Sequence, residues 1–128
     1  MKKLIIDAAN EKIFLTVITN ASIYNISHEN TKINYEKLTI IINDFLLAKN
    51  LKISDIGVIY INQGLGSFAG IRNSMSVVKA FNIAKNIDYY CYNLDDFKKE
   101  KDLSYQNIPN LCKKYKIKKN LINPIYIS

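Results

Sequence analysis

The chain has 128 residues, 48% hydrophobic and 23% charged, enough for one domain with a real core and too short for two full-sized ones. Its net charge of +7 is uneven: residues 1–97 carry ten basic residues against nine acids, and residues 98–128 carry eight lysines against two acids. No apolar run approaches the roughly 18 residues of a membrane span, Met1-Lys2-Lys3 leads straight into a short strand, and His28 is the only histidine, so a cytoplasmic protein without a His/Cys metal site is expected.

Lys3 to Asp7 reads as a first strand. Ala8-Ala9-Asn10-Glu11 supplies a turn, and Ile13 to Thr19 alternates Phe14, Thr16 and Ile18 with Ile13, Leu15 and Val17 as a second strand. A third strand runs from Ala21 to Ser27, which predicts an antiparallel meander. Asp7, closing the first strand, reads either as a carboxylate that caps the turn or as a functional acid.

After a polar stretch, Tyr35 to Lys49 places apolar residues at 35, 38, 41, 42, 45 and 46, a helical face, with Ile40 and Leu47 off it. Asn50 ends that helix and Ser54-Asp55 turns the chain. Ile56-Gly57-Val58-Ile59-Tyr60-Ile61-Asn62 is an apolar, β-branched run that reads as a buried central strand.

Next comes Gly64-Leu65-Gly66-Ser67-Phe68-Ala69-Gly70-Ile71-Arg72, holding three of the four glycines and the only arginine. It sits between the strand and a helix predicted over Ile71 to Lys85, so it is a strand-to-helix turn. Such glycines allow positive φ or close backbone approach, and the N–H groups opening the helix suit an anion. Both nucleotide motifs fail on spacing, however. A P-loop needs Lys-Ser or Lys-Thr after the last glycine, and the dinucleotide fingerprint has one residue fewer before its third. Arg72, near the positive end of the helix dipole, calls for a compensating partner.

Tyr89 to Tyr92 reads as a fifth strand, completing the order β-β-β-α-β-α-β and a mixed sheet. From Lys98 the pattern thins into a lysine-rich stretch with a short helix expected at Leu111 to Tyr115. Cys91 and Cys112 are too far apart for a Cys-x-x-Cys pair and read as reduced, buried or idle thiols.

The run from Gly64 to Arg72 closely resembles the glycine-proline-glycine-serine-phenylalanine-threonine-glycine-leucine-arginine signature of the TsaB (YeaZ) proteins of bacterial tRNA threonylcarbamoyladenosine synthesis. Gly64, Gly66, Ser67, Phe68, Gly70 and Arg72 match it; Leu65, Ala69 and Ile71 replace its proline, threonine and leucine. Asn93-Leu94-Asp95-Asp96-Phe97 resembles the segment after the fifth strand of that family, and Pro124-Ile125-Tyr126 its proline-x-tyrosine end. The resemblance spans Leu4 to Phe97, and most of the family's second half-domain is missing. It implies one actin-like (ribonuclease H-like) half over residues 1–97, with residues 98–128 a basic tail, in a shortened but complete protein.

Where this fold usually has small hydroxyl residues after the first-strand aspartate, this chain has Ala8-Ala9, which removes side-chain contacts to a phosphate. TsaB is the non-catalytic partner of its paralogue TsaD, which binds a metal through histidines and transfers the threonylcarbamoyl group; TsaE, an ATPase, joins the pair. The resemblance therefore implies a protein that is not itself an enzyme, with no cofactor and no metal. In this family the two long helices join the dimer interface, which makes Tyr35, Leu38, Ile40, Phe68, Arg72, Met75, Ser76 and Lys79 candidate contacts, with Gly64, Gly66, Ser67 and Gly70 as the structural motif. The same helices offer a homodimer when TsaD is absent, and the lysine tail is either a solvated face or an attraction for tRNA phosphates.

No Ser-His, Cys-His or zinc constellation supports the protease label some family members carry. Two rivals come from other classes. A ribonuclease H-like nuclease would use Asp7 as a metal ligand, but the central strand ends Asn62-Gln63 where a second carboxylate is wanted. A minimal kinase-like nucleotide-binding protein would need a second half to close over its nucleotide.

Overall fold

The computed structural model describes residues 1–64 and 69–122. The elements are β1 (Lys2–Asp7), β2 (Lys12–Ile18), β3 (Ile23–Glu29), α1 (Lys32–Glu36), α2 (Leu38–Ala48), β4 (Ile56–Asn62), α3 (Ala69–Lys85), β5 (Asp88–Tyr92) and α4 (Ile108–Lys114). They form one five-stranded sheet in the order β3-β2-β1-β4-β5. The first three strands pair antiparallel, and β4 and β5 run parallel to β1. The expected mixed sheet is therefore present. Its strands alternate as the sequence implies: Leu4, Ile6, Ile13, Leu15, Ile59, Ile61, Tyr89 and Cys91 face the core under the long helices.

The helix expected over Tyr35 to Lys49 is two helices. Thr31 caps α1 by accepting from the Asn34 N–H at 3.4 Å, so helix begins three residues earlier than the periodicity shows. The Asn34 side chain also donates to the Glu29 carbonyl at 2.8 Å, tying that turn back to β3. At Lys37 (φ −102°, ψ 18°) the backbone leaves the helix, its N–H bonding back to the Asn34 carbonyl at 3.0 Å, and α2 starts afresh at Leu38. Asn50, at φ 59°, closes α2, with the Leu51 N–H donating to Leu46 at 2.8 Å.

The lysine-rich segment covers the other face of the sheet. Phe97, Ile108, Leu111 and Cys112 pack with Ile5, Val58, Tyr60 and Tyr92 in a second core. Asn120 then clamps the sheet edge: its N–H donates to the Tyr89 carbonyl at 2.7 Å, and its side-chain oxygen accepts from the Tyr89 N–H at 2.9 Å. The expected short helix is present but lies at Ile108–Lys114, where Pro109 suits its first turn.

Candidate functional site

The parallel strands β1, β4 and β5 end together beside the β4–α3 corner, where a sheet of this topology offers a crevice. Asp7 ends β1 there and is buried. Its Oδ1 accepts from the Ala9 N–H at 3.1 Å and from Asn62 Nδ2 at 3.2 Å, and its Oδ2 accepts from the Tyr105 hydroxyl at 2.8 Å. The bond from Ala9 is a turn cap. Together the three donors offset the cost of burying the carboxylate. Burial and the facing Asp7 carboxylate together push the Tyr105 hydroxyl well above its usual pKa, which keeps it the donor.

Asn62, at the end of β4, links this carboxylate to the glycine turn, because its Oδ1 accepts from the Gly64 N–H at 2.8 Å. The Gly64 carbonyl in turn accepts from Asn93 at 3.0 Å, fastening the turn to the end of β5. Gly64 has φ +49°, and a Cβ there would lie 2.7 Å from the Ile71 δ-methyl. Gly70 serves close approach: a Cβ would lie 2.7 Å from Asn30 Oδ1 and 3.2 Å from the Ala8 carbonyl. Asn30 needs that space, since its Nδ2 donates to the Ala8 and Asn10 carbonyls at 2.9 and 2.7 Å. Of the four motif positions, Gly64 and Gly70 are thus structural; Gly66 and Ser67 lie outside the described residues, as do Phe68 and the Pro124-Ile125-Tyr126 end.

Two clefts flank the β1–β2 turn. One, of about 800 Å³, is bounded by Asn10, Phe14, Asn30, Tyr35 and Gly70. The other, of about 390 Å³, lies between Asn62, Gly64, Asn93 and Asp95. No three His, Cys, Asp or Glu side chains converge on a point among the described residues, so the donor set for a two-cation centre around Asp7 is not assembled there.

The candidate interface residues do not share one environment. Leu38 is 0% exposed and belongs to the core, so it presents nothing to a partner. Tyr35 and Met75 are half-buried and pack against that core. Ile40 is 58% exposed, and Arg72, Ser76 and Lys79 lie on the outer side of α3. The helical repeat carries that α3 stripe on to Ile83, 80% exposed, and pairs Ile40 with Leu47, 59% exposed, on α2. Ile83 was not among the expected contacts, although the spacing Arg72, Ser76, Lys79, Ile83 is visible in the sequence. No helix among the described residues is long and apolar enough to cross a membrane.

No family model and no curated protein sequence matches the chain. Solved structures do. YeaZ from Pseudomonas aeruginosa superposes with a TM-score of 0.65 at 17% identity, over 72% of this chain and 43% of that one. RuvC from Thermus thermophilus gives a TM-score of 0.52 at 8% identity, over 90% of this chain and 80% of that one. The same protein in complex with a Holliday junction substrate gives 0.51 at 10%, over 77% and 68%. The chain spans less than half the length of YeaZ. It has the ribonuclease H-like, actin-like fold that YeaZ and RuvC share.

Proposed function

We propose that this chain is a TsaB-type scaffold subunit. It has no catalysis of its own and docks on a TsaD-type paralogue in the threonylcarbamoyl modification of the adenosine next to the tRNA anticodon, with the TsaE ATPase joining the pair. The observation that carries the reading is the outer surface of the long helices, where Ile40 and Leu47 on α2 and Ile83 on α3 are large apolar side chains left in water. Gly64 and Gly70 of the signature run lie on either side of the start of α3, and the fold shared with YeaZ agrees with the resemblance of that run. The lysine-rich segment adds attraction to tRNA phosphates.

RuvC supplies a second reading, nuclease action centred on Asp7. The three hydrogen bonds that Asp7 accepts within the chain favour an anchoring role instead. Copurification of this chain with the TsaD-type protein of the same organism after coexpression tests the proposal. Recovery of the pair, lost with Ile83→Asp, supports docking through α3; no recovery, together with cation-dependent cleavage of a branched DNA, favours the nuclease.

A further inference from the structure

A third cleft, of about 480 Å³, opens on the face of the sheet covered by α4, away from the glycine turn. Its base is aromatic. Tyr60 and Tyr90 are register partners on β4 and β5, and their rings stack with centroids 5.2 Å apart at 12°. Tyr60 is buried under α4, whereas Tyr90, on the edge strand, is half-buried and lines the opening. Its rim is basic. Lys3 from β1 and Lys113 and Lys116 from α4 and its C-terminal turn border it, with Asn110 beside them, and no acid among the described residues lines it. Among the described residues these three lysines enter no ion pair; the lysines that do are Lys32, Lys114 and Lys119.

The helix C-terminus explains some of this charge, since cations suit the negative end of the dipole. It does not explain Lys3, which comes from a strand on the other side of the cleft. Nor does it explain the backbone of Lys116. This residue sits at φ 54°, closing α4 with the Ile117 N–H donating to the Cys112 carbonyl at 3.0 Å. Glycine or asparagine is favoured at such a position, and among the described residues the other three non-glycine residues with positive φ are all asparagines, Asn50, Asn86 and Asn120. A lysine is held here against backbone preference.

We infer that the cleft of Lys3, Tyr90, Lys113 and Lys116 is a binding site for a single-stranded nucleic acid, RNA on the proposed function, with a base stacking on the Tyr90 ring and flanking phosphates meeting the three ammonium groups. Unpaired lysines attract phosphate without regard to sequence, and a tyrosine face adds sequence-tolerant stacking. The site deepens the RNA part of the proposed function and names where contact is made. It needs no docked paralogue, so its test is separate from the pairing test.

The test is fluorescence anisotropy of a short labelled oligoadenylate with the 128-residue chain at several salt concentrations. Three phosphate contacts give a slope of log affinity against log salt of roughly −2. Lys116→Gln lowers the affinity and reduces that slope by about 0.7, while Lys98→Gln, away from the cleft, changes little. Tyr90→Leu weakens binding roughly five- to hundred-fold, and Tyr90→Phe restores it. Equal losses from Lys98→Gln and Lys116→Gln, or equally tight binding of inorganic polyphosphate with Tyr90→Leu without effect, would show diffuse charge and overturn the site. If Tyr90→Leu does not fold, the Tyr90 ring resonances of the native chain decide: an upfield shift on adding RNA supports stacking, and unmoved resonances refute it.

Discussion

The Tyr105 hydroxyl donates a 2.8 Å hydrogen bond to Oδ2 of Asp7, 98 residues away in the chain. The contact fastens the lysine-rich segment to the end of β1. Because Asp7 also holds the Ala9 N–H and Asn62, the two strands and the segment meet on one carboxylate. Tyr105→Phe removes only the hydroxyl and is expected to cost about 1.5 kcal/mol, the range for a hydrogen bond to a charged group. Urea unfolding measures it; an unchanged midpoint would show that the contact contributes nothing.

Alkaline pH should loosen the fold. Burial pushes the Cys91 and Cys112 thiols from 9.0 up to about 12 and the Tyr60 hydroxyl from 10.0 up to about 12. Tyr92 and Tyr105 are raised too, by burial and then by the nearby Asp7 carboxylate. These groups keep their protons in the folded state and lose them once unfolded. Their stabilisation is thus intact below about pH 9, the unfolded thiol range, and falls as pH rises toward about 12. Urea midpoints measured from pH 8 to pH 11 should decline throughout the upper part of that range, and a flat profile would contradict the burial of these groups.

The two described glycines of the signature turn should fail differently. Gly64→Ala forces a side chain into the left-handed region, worth about 1–2 kcal/mol, and moves the Ile71 δ-methyl. Gly70→Ala meets the Asn30 amide instead, so up to about 1 kcal/mol of helix propensity gained is outweighed by the two hydrogen bonds that Asn30 loses. Both variants should melt below the native chain. A Gly70→Ala variant more stable than native would mean that the Asn30 clamp is dispensable.

Surface and core on the long helices should separate cleanly. Leu47→Asp and Ile83→Asp alter exposed side chains and are expected to shift stability by no more than about 0.5 kcal/mol. Leu38→Ala, in the core, should cost about 2–5 kcal/mol. Thermal unfolding checks both.

The sheet was legible because the second strand alternates and the central run Ile56 to Asn62 is continuously apolar, β-branched and bounded by turn residues. The exposed positions Ile40 and Leu47 were legible too, as apolar residues off the helical face. The break at Lys37 was not, because periodicity runs through it and only the Thr31 cap and the Asn34 bonds to Glu29 and Lys37 reveal it. Tyr105 and Asn120 escaped notice for a related reason. Their roles are hydrogen bonds to distant strands, and a lysine-rich stretch with scattered apolar residues carries no period that points to them. Leu38 misled the reading of the interface, since one helical face shows which residues are apolar but not which of them the sheet covers.

The measurement that bears most directly on the scaffold reading is size-exclusion chromatography with light scattering, on the chain alone and mixed with the TsaD-type protein of the same organism. A one-to-one complex at micromolar concentration, abolished by Ile83→Asp, is the expected result. Two components that elute separately at their own masses would contradict it.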